Sequence, residues 1–166
     1  HQRTSFDKRI RGELNPAAAV KGALNGQFFA VWVDPDDLNL WAVARAQLRL
    51  FDEQVVRHST FELALNATDI RAIQARGKVA AMLSLEGASV LEGDLERFRE
   101  LHVRGVRLAS LTWNEDNVFA TGSKTRQRHG VTPKGRKLLA LMEELGVMID
   151  VSHASPMTFW DVYTAT

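Results

Sequence analysis

Three times along this chain an amphipathic helical stretch stops on a glycine and an apolar run begins at once. The instances are IRAIQARG before KVAAMLSLEG, LERFRELHVRG before VRLASLTWN, and LLALMEELG before VMIDVSH. Glycine takes the left-handed turn that closes a helix more easily than any other residue, so Gly77, Gly105 and Gly146 mark helix ends. The runs after them are nearly continuous in apolar residues rather than alternating, the pattern of parallel strands covered on both faces. Helix starts are marked as well. Asp94 precedes LERF, while Thr132-Pro133 and Ser155-Pro156 each join a capping side chain to a proline at the first helical position.

Upstream, GQFFAVWV (26–33) reads as a further buried strand, and after the turn DPDD a helix is expected from about Leu38 to Val56. Four strands alternating with helices specify an α/β fold with a parallel sheet, either doubly wound or closed as a (β/α)8 barrel. No linker divides the chain, so residues 1–166 are expected to form a single domain. With 166 residues, 45% of them hydrophobic and 25% charged, there is enough apolar material for a sizeable core. The 21 basic and 20 acidic residues are interspersed and give a net charge of +1, which offers no basis for a nucleic-acid partner. The short basic cluster SKTRQRHG (123–130) is the exception. The absence of cysteine rules out disulfides and thiolate metal sites. The opening HQRTSFDKRIRGEL has no apolar core of the signal-peptide kind, and the compartment is left open between cytoplasmic and exported.

In parallel α/β folds chemistry gathers at the carboxyl ends of strands. Here those ends carry Glu86, then Trp113, Asn114, Glu115 and Asp116, then His153. Glu86 and His153 are expected on one rim, each held by a rigid strand terminus. Such a pair suits a divalent metal such as zinc or a general acid/base pair. Asp150 is placed to orient His153 from the strand, and Trp113 to line a pocket. Both ligand candidates also have plain structural readings: Glu86 as a solvated strand-end carboxylate, His153 as a cap for the following helix. His1, His58, His102 and His129 read as exposed or helical positions, and Asp34, Asp36 and Asp37 as an acidic turn that caps the long helix.

The blocks GQFFAVWV, GKVAAMLSLEGA, GVRLASLTWNEDN and GVTPKGRKLLALMEELGVMIDVSHAS, followed by TFWDV, resemble in order and spacing the membrane dipeptidase (renal dipeptidase) family. The resemblance implies a partial (β/α)8 barrel of about four βα units. It also implies a zinc-dependent dipeptidase with two zinc ions, acting by metal-assisted hydrolysis of a dipeptide substrate. Glu86 matches the carboxylate that bridges the two ions, and His153 matches an imidazole ligand of one. The family's His-x-Asp pair and its later histidine, arginine and aspartate have no counterpart here, so the chain is expected to be a fragment and by itself inactive. Trp113 stands where many relatives have a substrate-binding histidine. The resemblance also makes a homodimer possible. Two other readings stay open: a dipeptidase-like binding protein without catalysis, and another metal-dependent amidohydrolase-type enzyme.

Overall fold

The computed structural model describes residues 15–126 and 129–166. His1 and the rest of the opening segment, with Gln127 and Arg128 of the basic cluster, lie outside the described residues. The strands are β1 (Gly26–Val31), β2 (Phe61–Leu63), β3 (Val79–Leu85), β4 (Val106–Ser110) and β5 (Met148–Asp150). The α-helices are α1 (Pro16–Lys21), α2 (Leu40–Phe51), α3 (Ala67–Ala75), α4 (Leu95–Val103), α5 (Pro133–Glu144) and α6 (Pro156–Ala165). They form two compact units whose boundary runs through β1, α2 and β3.

One unit holds the described residues up to Phe29 together with Ala46–Met82. In it, β2 pairs in parallel with the first half of β3, Phe61 opposite Val79 and Leu63 opposite Ala81. Ala64, Ile73 and Ala80 are buried as a cluster, with Ile70 and Met82 packed against them. Phe29 meets Phe51 and Phe61 edge-on, with centroids 5.4 and 6.0 Å apart. On the surface Glu62 lies between Arg76 (2.7 Å) and Lys78 (3.5 Å). The hydrogen bond from Arg76 holds its carboxyl below the usual range.

The other unit holds Ala30–Arg45 and Leu83–Thr166. Its strands follow the order β1, β3, β4, β5, and the β3–β4 and β4–β5 pairs are parallel. Their carboxyl ends therefore share one rim. Phe98 and Leu101 of α4 and Leu138 and Met142 of α5 are buried at helical spacing. Each such side chain removed from water stabilises the fold by about 2–3 kcal/mol. Asp94, Thr132 and Ser155 cap α4, α5 and α6 through the N–H groups of Glu96, Gly135 and Thr158. Gly77, Gly105 and Gly146 all have positive φ, at 70°, 108° and 66°, as a helix-closing turn requires.

Some local expectations change. β2 is an additional strand, and at three residues it is too short for its periodicity to show. The long helix is α-helical to Phe51 and continues as a π-helical turn over Asp52–Val56. Asn39 caps it by accepting from the Ala42 N–H (3.0 Å), whereas Asp34 accepts from the Asp36 N–H (3.1 Å) within its own turn. β3 is buried nearly throughout, but β5 is not: Met148 is 54% exposed. β5 ends the strand order, so among the described residues no further strand covers it.

Candidate functional site

Glu86 follows the last residue of β3. Its N–H donates to the carbonyl of Val31 (3.0 Å), and the next N–H, from Gly87, donates to Ser110 Oγ (2.9 Å) at the end of β4. Ser110 Oγ in turn donates to the Thr112 carbonyl (3.1 Å). Neighbours on both sides thus fix the strand end that carries this carboxylate.

His153 is positioned otherwise. It lies three residues past β5 with φ +64°, a left-handed conformation uncommon for a residue with a Cβ. Its carbonyl accepts from the Ser123 N–H (2.8 Å) and the Thr112 hydroxyl (3.3 Å). Gly122 and Ala154 form an antiparallel bridge, and the Ser155 N–H donates to the Thr121 carbonyl (3.1 Å). These bonds over-determine the backbone and hold it where it would not rest by itself.

The two candidate ligands meet: His153 Nε2 lies 3.2 Å from Glu86 Oε1, with both side chains about one-third exposed. Two donors bound to one tetrahedral zinc at about 2.1 Å each lie roughly 3.4 Å apart, so the observed separation fits a shared ion. A carboxylate and an imidazole are also ordinary zinc donors. Among the described residues no group of three or more His, Cys, Asp or Glu is gathered in this way.

Asp150 and Trp113 divide. Asp150 Oδ1 accepts from the Ser152 N–H (2.8 Å), and the group at His153 Nδ1 is Asn114 Oδ1, 3.2 Å away. Sequence reasoning placed Asn114 on the rim but gave it no role. The signal was its position just past β4, the strand paired with β5. Trp113 lies with its ring centroid 6.2 Å from that of His153 and 5.1 Å from that of Trp32. With Asn114 it also lines a cavity of about 380 Å³, whose other walls include Asp34, Asp36, Glu115, Asp116 and Lys124. Glu115 Oε1 accepts from the Ser89 hydroxyl (3.2 Å), whereas its Oε2 is buried without a hydrogen-bond partner. Among the described residues none of the other histidines is grouped with the Glu86–His153 pair as a metal cluster. His58 Nδ1 accepts from the Thr60 N–H (3.2 Å), His102 is on α4, and His129 Nδ1 lies 3.0 Å from Thr121 Oγ1.

A framework of βα units that brings Glu86, Trp113, Asn114 and His153 to one rim is that of a parallel α/β protein with its candidate site at the carboxyl ends of the strands. The chain belongs to the membrane dipeptidase family, peptidase family M19, whose model matches residues 1–166. It is 28% identical to an uncharacterized dipeptidase of Schizosaccharomyces pombe over 91% of this chain and 41% of that protein. The structure of dipeptidase AC, an M19 metallopeptidase, superposes with a TM-score of 0.82 at 26% identity, covering 98% of this chain and 54% of the other. A metallopeptidase from Rhodobacter sphaeroides, liganded with a phosphinate mimic of the dipeptide L-Ala-D-Ala, gives the same TM-score at 24% identity. That match covers 97% of this chain and 56% of the other. The chain therefore spans about two-fifths to just over half the length of these relatives, and its fold is part of a (β/α)8 barrel.

Proposed function

We propose that the protein containing this chain is a zinc-dependent dipeptidase in which Glu86 and His153 hold metal. The observation that carries the reading is the 3.2 Å approach of Glu86 Oε1 to His153 Nε2 on the rim where such barrels do their chemistry. The full site would take two zinc ions, and Glu86 and His153 are the residues of this chain that would hold them, the first as a carboxylate donor and the second as an imidazole donor. A catalytic zinc uses about three protein ligands, so two donors are part of a set and the activity is that of the whole protein. When bound, zinc polarises a carbonyl and makes water a nucleophile near neutral pH. Glu86 supplies negative charge to the site, and the strand bonds behind it keep that charge at a fixed place. His153 supplies a neutral nitrogen donor. Trp113 contributes an apolar wall, and the cavity beside it is large enough for part of a dipeptide, with L-Ala-D-Ala as the first substrate to try. Asp150 acts on His153 through the backbone of the β5 end, by holding the Ser152 N–H. A homodimer is compatible with this reading.

The test is zinc content and L-Ala-D-Ala hydrolysis in protein made from the complete reading frame, beside Glu86→Gln and His153→Ala. Each substitution is expected to lower hydrolysis by more than about 100-fold, beyond the range typical of groups outside the ligand shell. Normal turnover by Glu86→Gln with zinc retained would refute the assignment. Trp113, standing where the family resemblance implies a substrate-binding histidine in many members, favours a second reading, a dipeptide-binding protein that retains the fold. Zinc binding with no hydrolysis across a dipeptide panel would select that one.

A further inference from the structure

We propose that Asn114 is a positioning residue for His153: its side-chain carbonyl sets which imidazole nitrogen carries the proton, leaving Nε2 bare toward Glu86. The inference rests on the reading of His153 as a metal ligand and adds a residue to it.

Two oxygen atoms flank the ring, one at each nitrogen. Asn114 Oδ1, 3.2 Å from Nδ1, is an acceptor only, so a hydrogen bond between them forms in the tautomer that carries its proton on Nδ1. A neutral imidazole has one N–H, and once Nδ1 carries it the lone pair lies on Nε2. Nε2 faces Glu86 Oε1, which is again an acceptor when ionised. A neutral ring between two acceptors satisfies only one of them, and the nitrogen left over is the one pointed at a carboxylate. A second ring proton would satisfy both acceptors by making the ring an imidazolium, and with the ring neutral a metal cation takes that place, facing the bare nitrogen and the carboxylate oxygen together. Without Asn114, the proton is free to sit on Nε2 and bond Glu86, which closes that position to a metal.

The backbone is arranged so that these two side chains meet. Ser123 and Lys124 are consecutive, and their N–H groups donate to the carbonyls of His153 (2.8 Å) and Asn114 (2.9 Å) respectively. One stretch of chain thereby ties both residues to the same place. The approach depends on Gly122, where a Cβ would lie 2.6 Å from the Asn114 carbonyl oxygen and 2.3 Å from that of Glu115. The loop is anchored in turn by Asp116, whose carboxylate accepts from the Gly122 N–H (3.0 Å) and the Thr125 hydroxyl (2.9 Å). Trp113 flanks the same ring, its centroid 6.2 Å away, so Asn114, Glu86 and Trp113 together surround the imidazole. The chosen partner is a neutral amide, so it orients the ring without adding a second negative charge behind it. Aspartate at the same position would keep the acceptor and add that charge.

The experiment uses protein from the complete reading frame and measures zinc dissociation constants by chelator competition for wild type, Asn114→Leu, Asn114→Asp and His153→Ala. Thermal unfolding of each metal-free form accompanies them. Asn114→Leu is expected to weaken zinc binding about 10- to 100-fold, in line with loss of an outer partner, while Asn114→Asp stays within about threefold of wild type. Nitrogen-15 NMR of zinc-loaded wild type is expected to show His153 protonated at Nδ1. Wild-type affinity in Asn114→Leu together with a loss in His153→Ala would overturn the role of Asn114 and leave the ligand assignment standing. Wild-type affinity in His153→Ala would instead overturn the ligand assignment and this inference with it. Equal losses in the Leu and Asp variants would mean that Asn114 acts by packing alone. A proton on Nε2 in the zinc-loaded wild type would sink the idea without any substitution.

Discussion

The ends of β3 and β5 bring Glu86 and His153 to one rim by opposite means. β3 is seven residues long, buried almost throughout, and bonded on both sides up to its last turn, so Glu86 is where the sheet puts it. β5 has three residues with an exposed methionine, and His153 lies beyond it in a left-handed conformation held by the 121–123 loop. One proposed ligand is thus positioned by the core and the other by a clamp, and the two should respond differently to damage.

The largest effect should come from the core side. Leu83→Ala removes a side chain that is 2% exposed from the middle of β3 and should cost about 3 kcal/mol in urea unfolding, since such truncations typically cost 2–5. Zinc affinity of the protein that remains folded should change little. Next, Gly122→Ala forces a Cβ against backbone carbonyls and should cost about 2 kcal/mol, with zinc affinity falling as well because the clamp on His153 opens. If Gly122→Ala were to leave zinc affinity intact while Leu83→Ala abolished it, the contrast between the two ends would be reversed. Ser155→Ala removes the cap of α6, two residues past His153, and should cost about 1 kcal/mol. A site readout that moves with it would extend the clamp into the helix.

The smallest effect concerns acid, away from the rim. Burial, helped by the Arg107 guanidinium and opposed by a backbone hydrogen bond with Leu145, lowers the His102 pKa from its ordinary 6.5. The folded protein therefore takes up this proton less readily than the unfolded chain. The resulting stability is fully present above about pH 6.5 and is lost as pH falls through the lowered value. His102→Gln should flatten that part of the stability profile, measured by thermal unfolding between pH 7.5 and 5, without altering zinc binding at pH 7.5.

Much of the frame was legible because its signals are local. A capping side chain and its N–H are two or three residues apart, as at Asp94, Thr132 and Ser155, and a helix-closing glycine announces itself by type. β2 was not legible, because FEL offers three residues and each one's partner on β3 is eighteen residues further along the chain. The placement of Glu86 and His153 on one rim followed from strand direction alone. The partner of His153 did not. Asp150 is close along the chain, but the aspartate turns to its own Ser152 N–H, while Asn114 arrives from the next strand with Ser110 in register with Asp150. Chain proximity is a poor guide to contacts on a rim, where each loop follows its own path and neighbouring strands supply the neighbours.

The left-handed backbone at residue 153 also bears on how this chain could be altered. Glycine pays no steric penalty there, whereas histidine gives up on the order of 1 kcal/mol. A procedure that ranked substitutions by stability alone would therefore favour replacing the very side chain that faces Glu86, and the most thermostable relative made that way would be the one stripped of its proposed ligand.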